Sequence, residues 1–138
     1  MAWREKTAWI TLVTMVIAYG AYFTVVSTVA MSGVSMLGLF GAVTVAQVIV
    51  IIVATAVLAA LSADDARAKA DERDRAISRR GTNVAYFVLM SGVVTVGVIM
   101  PFHDVGWRLT NAALFALVIA EAVRHLIIVV SYRRGWHG

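Results

Sequence analysis

The sequence contains no cysteine, a single proline at Pro101, and few charged residues, which make up 14% of its 138 positions. The absence of cysteine excludes disulfide bonds, thiol chemistry and cysteine-ligated metals. Hydrophobic residues account for 61% of the chain. A soluble bundle of this composition would have too few polar side chains to cover its surface, so we interpret the chain as an integral membrane protein.

Four long apolar stretches, residues 7–30, 37–61, 83–102 and 109–132, are nearly free of charge. Each approaches or exceeds the roughly 20 residues that a helix needs to cross about 30 Å of hydrocarbon. None alternates apolar with polar residues as barrel strands do. The sequence therefore predicts a single all-α domain over residues 1–138, with four transmembrane helices arranged as two hairpins and a charged cytoplasmic loop at residues 63–81. The first stretch is longer than the apolar core of a signal peptide, which predicts an uncleaved anchor.

The basic residues predict the orientation of the chain. Ten of the twelve lysines and arginines lie before the first stretch, between the second and third, or after the fourth. With four helices these segments share one side, and the positive-inside rule places both termini and the charged loop in the cytoplasm. We expect a bacterial inner membrane, anionic lipid headgroups as the partners of this charge, and no direct binding of nucleic acid.

The sequence offers no group typical of an enzyme. It contains no nucleophile paired with a base, no metal-ligand cluster and no phosphate-binding loop, and no predicted span contains the lysine that a retinal Schiff base needs. We predict a non-enzymatic protein without metal or cofactor.

Three ionisable residues, Glu121, Arg124 and His125, lie within the fourth span. Each costs about 2.5–3.5 kcal/mol or more to place in hydrocarbon. Their helical spacing puts them on one face, where Glu121 can pair with Arg124 or His125. Gln47 lies at a similar depth in the second span and could hydrogen-bond Glu121. Two interpretations stay open: a structural clamp that fixes helix rotation or oligomer contacts, and a hydrated path for an ion or substrate.

The charged loop carries basic and acidic side chains in near balance and consists mostly of helix-forming residues. The candidate interaction residues are Asp71, Glu72, Arg73, Asp74, Arg75, Arg79 and Arg80. Gly81 is predicted to end this helical run. The segment is either a solvated connector or a docking surface for a cytosolic regulatory protein.

Two motifs resemble those of a known group. They are the stretch from Asp71 to Ile77, and the stretch from Ala120 to Arg124 followed by Tyr132-Arg133-Arg134-Gly135. Together they resemble the DUF2178-type four-span bacterial membrane proteins over roughly the second half of the chain. That group has no established activity and no catalytic residues to carry over. Its genes often lie beside small helix-turn-helix regulators, so the resemblance implies a role in membrane-linked regulation.

The leading expectation is a homo-oligomeric inner-membrane protein that regulates or scaffolds through its cytoplasmic charged loop. The alternative is a small transporter or channel with its site at Glu121, Arg124 and His125.

Overall fold

The computed structural model describes residues 3–135, apart from the side chain of Asp65. The described chain is helical, without a strand in that range. Its helices are α1 (Trp3–Thr28), α2 (Gly33–Leu61), the short α3 (Ala63–Arg67), α4 (Glu72–Val94) and α5 (Trp107–Arg133). A π-helical turn (Thr95–Ile99) and a 3-10 turn (Met100–Phe102) continue α4.

Four of these segments are long and apolar enough to cross a membrane: Trp3–Thr28, Gly33–Leu61, Glu72–Phe102 and Trp107–Arg133. This confirms the prediction of an all-α chain with four helices able to span a membrane, as a multi-pass membrane protein requires. The described residues form two compact units, one ending at Lys69 and one beginning at Ala70. The single domain, the two hairpins and the cytoplasmic position of the termini stay predictions.

In the first unit α1 packs on α2 through a regular stripe. The buried residues of α1 recur at alternating intervals of three and four, as in a coiled-coil seam: Glu5, Ala8, Leu12, Met15, Tyr19 and Tyr22. The Tyr19 ring stacks on Phe40 with centroids 5.3 Å apart, and its hydroxyl lies 3.1 Å from Thr44 Oγ1. Stacked aromatic rings and a tyrosine hydroxyl therefore hold α1 against the N-terminal half of α2.

In the second unit α4 and α5 approach each other closely at two glycines of α4, Gly81 and Gly92. A Cβ atom on Gly92 would lie 2.6 Å from the Ala116 Cβ, and one on Gly81 would lie 2.9 Å from Ile128 Cγ1. Small residues allow such close backbone contact between membrane helices. Gly81 was predicted to end a helix, and this was wrong: it lies within α4, because its missing side chain makes room for α5.

The charged segment at 63–81 consists mostly of helix, as its helix-forming composition predicts. Only residues 68–71 of that range lie outside helices, apart from the break at Ser62 that precedes it. Asp71 and Asp74 form a capping box, in which each carboxylate accepts the backbone N–H of the other residue. The cap starts α4 at Glu72, so the third span's helix begins in the charged segment rather than at residue 83.

Pro101 lies at the end of the third span, and the helix continues through it only as a single 3-10 turn. Proline has no N–H, so a regular helical bond cannot form at this position. The preceding turn is widened, and the Met100 N–H donates to the carbonyl of Thr95, five residues back. The span ends at Phe102, as predicted.

Candidate functional site

The middle of α5 brings together the three ionisable residues singled out from the sequence. Arg124 Nη1 lies 3.5 Å from Glu121 Oε2, and His125 Nε2 lies 3.9 Å from the same oxygen. One carboxylate oxygen therefore faces two nitrogen groups, at a depth near the centre of the span. The side chains of Glu121 and Arg124 are 43% and 38% exposed, so this face is only partly covered.

Two nitrogen atoms of this cluster are buried without a hydrogen bond among the described residues: Arg124 Nε and His125 Nδ1. Arg124 Nε is always a donor, whereas His125 Nδ1 donates or accepts according to its tautomer. Arg124 Nε therefore lacks an acceptor among the described residues, and a water, an anion or a carboxylate would satisfy it. The chemistry of the cluster suits proton exchange or ion pairing within the membrane.

Gln47 lies in the first unit, on α2, and is 6% exposed. Its side chain lines a groove between α1 and α2. Glu121 belongs to the second unit, and the hydrogen bond predicted between the two residues stays a prediction.

The structure divides the charged segment into an inner and an outer set. In the inner set, the Asp74 carboxylate accepts a hydrogen bond from the Tyr132 hydroxyl at 2.5 Å, and the Arg73 guanidinium lies 5.9 Å from the centre of the Tyr132 ring. Asp71 accepts the Asp74 N–H at 2.6 Å. These residues hold the start of α4 against the end of α5.

The outer set is exposed to solvent and consists of Glu72, Arg75, Arg79 and Arg80. Glu72, Arg75 and Arg79 are three and four residues apart, which places them on one stripe of α4. Within residues 3–135 neither Arg75 nor Arg79 has an ion pair or hydrogen bond from its side chain. We call Glu72, Arg75 and Arg79 the outer stripe.

Sequence reasoning missed the role of Tyr132 beyond its place in a motif. Asp74 near one helix start and a hydroxyl-bearing aromatic at the next helix end are compatible with this contact, but their sequence positions alone do not specify it. Ile77, an apolar residue within the charged segment, is fully buried. Its position one turn beyond Arg73 puts it on the inner face of α4.

No group of three histidine, cysteine or acidic residues that could hold a metal occurs among the described residues. No protein-family model, curated protein or solved structure matches the chain.

Proposed function

We propose that the chain is a non-enzymatic protein of a bacterial inner membrane that binds a cytosolic regulatory protein through the outer stripe. In this proposal the spans form two hairpins, and both termini and the charged segment are cytoplasmic. The observation that carries it is a pair of exposed arginines, Arg75 and Arg79, that form no ion pair with any described residue and lie on a helix anchored at its first turn.

The anchoring matters because ordered arginines bind with less loss of conformational entropy. The capping box and the Tyr132 contacts fix the first turn of α4, so the guanidinium groups project from a defined backbone. Guanidinium matches carboxylate and phosphate groups with paired hydrogen bonds. The stripe therefore suits an acidic partner surface, with an affinity that falls as salt rises.

The distance of each arginine from the hydrocarbon determines whether its side chain can contact lipid headgroups or a cytosolic protein. If hydrocarbon begins near residue 83, Arg79 lies about 6 Å and Arg75 about 12 Å outside it, at 1.5 Å per residue. The headgroup layer is about 5–8 Å thick on each side. Arg80 then lies among anionic headgroups, Arg79 lies near their outer edge with its side chain able to reach a docked protein, and Arg75 reaches the aqueous phase.

Site-specific crosslinking in living cells tests this proposal. A photocrosslinking amino acid at position 72 should capture a cytosolic protein, and Arg75→Glu with Arg79→Glu should abolish that product. The matched control is Arg67→Glu with Lys69→Glu, which changes the net charge equally at two exposed positions outside α4. Equal crosslinking in both double variants would refute the outer stripe as the docking surface.

We infer a homo-oligomer from the half-exposed charges of α5. Charged groups facing lipid are costly, and Glu121 and Arg124 present opposite charges on one face. A second copy that packs α5 against α5 would pair these groups across the interface. Membership of the DUF2178-type group stays a proposal that depends on the two motifs.

The second candidate function is transport, and the observation that favours it is that Arg124 Nε and His125 Nδ1, beside Glu121, have no hydrogen-bond partner within residues 3–135. A proton or ion path through α5 would need Glu121 to exchange its proton. Flux into proteoliposomes should then be lost in Glu121→Gln and retained in Ser91→Ala, which removes a hydroxyl from α4. Flux that is unchanged in Glu121→Gln would reject this function.

A further inference from the structure

The first unit contains a groove of about 450 Å³ between α1 and α2. Its lining residues are apolar, apart from Thr14 of α1 and Gln47 of α2. Small-molecule sites in proteins have volumes of roughly 300–1,000 Å³, are mostly apolar and contain a few polar groups that fix orientation. The groove has the size and composition of such a site.

Gln47 is the feature that points to an occupant. It is 6% exposed, it lines the groove, and its amide makes no hydrogen bond among the described residues. A buried amide offers two donors and an acceptor, and such groups are nearly always hydrogen-bonded in proteins. The Thr14 hydroxyl can offer a ligand only its acceptor lone pairs, because its proton is already donated to the Ile10 carbonyl at 2.7 Å.

The position of Gln47 restricts the chemistry of the occupant. Gln47 lies fourteen residues from each end of α2, which spans Gly33–Leu61, and therefore near the centre of the bilayer. Water is scarce at that depth. Among residues 3–135 no charged side chain lines the groove, so a charged molecule would lie there without a counter-charge from that part of the chain. Ile17 and Val50, at the rim, are 67% and 50% exposed, which leaves the groove open from the side.

We propose that this groove binds an uncharged, largely apolar molecule that enters from the bilayer and whose hydroxyl or carbonyl oxygen hydrogen-bonds to the Gln47 amide. The apolar wall takes the hydrocarbon part of the molecule. The amide selects for a single polar group at mid-membrane depth. This site lies in the first unit, shares no residue with the outer stripe, and does not depend on the proposed docking function.

Photolabelling of the full-length protein in lipid nanodiscs tests the proposal. The probe is a long-chain primary alcohol that carries a diazirine, and the competitors are the unlabelled alcohol, the alkane of equal length and the fatty acid of equal length. We expect saturable labelling at groove residues such as Ala18 and Ala46, displaced by the alcohol and at least fivefold less well by the other two. Gln47→Leu should weaken competition by the alcohol about five- to tenfold, the value of one hydrogen bond.

Two further variants separate binding from folding. Thr55→Val removes a hydroxyl from α2 outside the groove and should leave competition unchanged. Ala46→Phe replaces an exposed alanine at the rim and should block labelling by filling the groove, even if Gln47→Leu fails to fold. Equal competition by alkane and alcohol on the wild-type protein, or labelling that does not saturate, would overturn the proposal.

Discussion

The side chain of Tyr132 makes two chemically different contacts with the first turn of α4. Its hydroxyl donates to Asp74, and its ring faces Arg73. Asp74 also belongs to the capping box, so one carboxylate serves both the start of α4 and its attachment to α5. A change at Tyr132 should therefore affect the whole second unit.

Tyr132→Phe should lower the free energy of unfolding by about 1–2 kcal/mol, because a hydrogen bond to a charged group is lost while the ring stays beneath Arg73. Tyr132→Leu should cost about 0.5–1 kcal/mol more through loss of the cation–π contact. Denaturant unfolding in detergent measures both values. The matched control is Tyr86→Phe, an exposed position whose hydroxyl has no hydrogen bond within residues 3–135. Equal stability of Tyr132→Phe and Tyr86→Phe would contradict the role of the hydroxyl.

Glu121 and Arg124 should be energetically coupled. Glu121→Gln leaves the Arg124 charge without its partner at 3.5 Å and should destabilise the protein. Adding Arg124→Gln should recover part of the loss, with a coupling energy of about 1 kcal/mol in a double-mutant cycle of unfolding free energies. Recovery should be incomplete because Glu121 also faces His125.

A second cycle provides the control for this coupling. Arg108 pairs with Asp104 at 2.6 Å, and it lies beyond the reach of Glu121 at the other end of α5. Glu121→Gln and Arg108→Gln should therefore be additive. Additive losses for Glu121→Gln with Arg124→Gln would mean that the pair makes no net contribution.

At the scale of the helices, the contact between α4 and α5 depends on Gly92 and Ala116. Gly92→Ala should destabilise the protein by about 1–3 kcal/mol, because its Cβ would lie 2.6 Å from the Ala116 Cβ. Ala116→Gly should relieve this clash and restore part of the stability when the two changes are combined. Thermal unfolding in detergent measures the series.

The matched control for Gly92 is Gly41, in α2. A Cβ atom there would have no described atom within 4 Å. Gly41→Ala should therefore be neutral or stabilising by up to about 1 kcal/mol, because alanine favours the helix. Equal effects of Gly92→Ala and Gly41→Ala would show that α4 and α5 do not pack closely at Gly92.

The sequence predicts the existence of the four long helices well, because hydrocarbon thickness sets their length and hydropathy marks them. It predicts their ends less well. The start of α4 depends on the reciprocal hydrogen bonds of Asp71 and Asp74. This motif involves only two polar residues, so a hydropathy profile does not reveal it. The role of Gly81 does not follow from the sequence, because glycine suits both a helix end and a close helix crossing. Only the position of α5 distinguishes these two roles.

The candidate site was also predictable only in part, because contacts within one helix follow from sequence spacing whereas contacts between helices do not. Glu121, Arg124 and His125 are neighbours along one helix, so their spacing alone brings them together. The contact of Asp74 with Tyr132 joins two helices and depends on their register, which no pattern within either helix specifies. The orphan amide of Gln47 likewise depends on which groups α1 presents to it.

At the scale of the whole molecule, exposed apolar side chains occur along all four spanning segments. Examples from the four in turn are Ile17, Ile52, Phe87 and Leu117. This distribution is typical of helices whose outer faces contact lipid. The ends of the spans should then be the only parts that water-soluble reagents reach, which makes the orientation of the chain measurable.

Labelling of single cysteines tests the predicted orientation, and the chain has no native cysteine to confuse it. Val105→Cys, at an 82% exposed position between the last two spans, should react with an impermeant thiol reagent added to intact cells. Arg75→Cys, in the exposed outer stripe, should react only after the cells are opened, because the positive-inside rule keeps its basic segment in the cytoplasm. Labelling of position 75 in intact cells would place the outer stripe outside, beyond the reach of any cytosolic partner, and would remove the basis of the docking proposal.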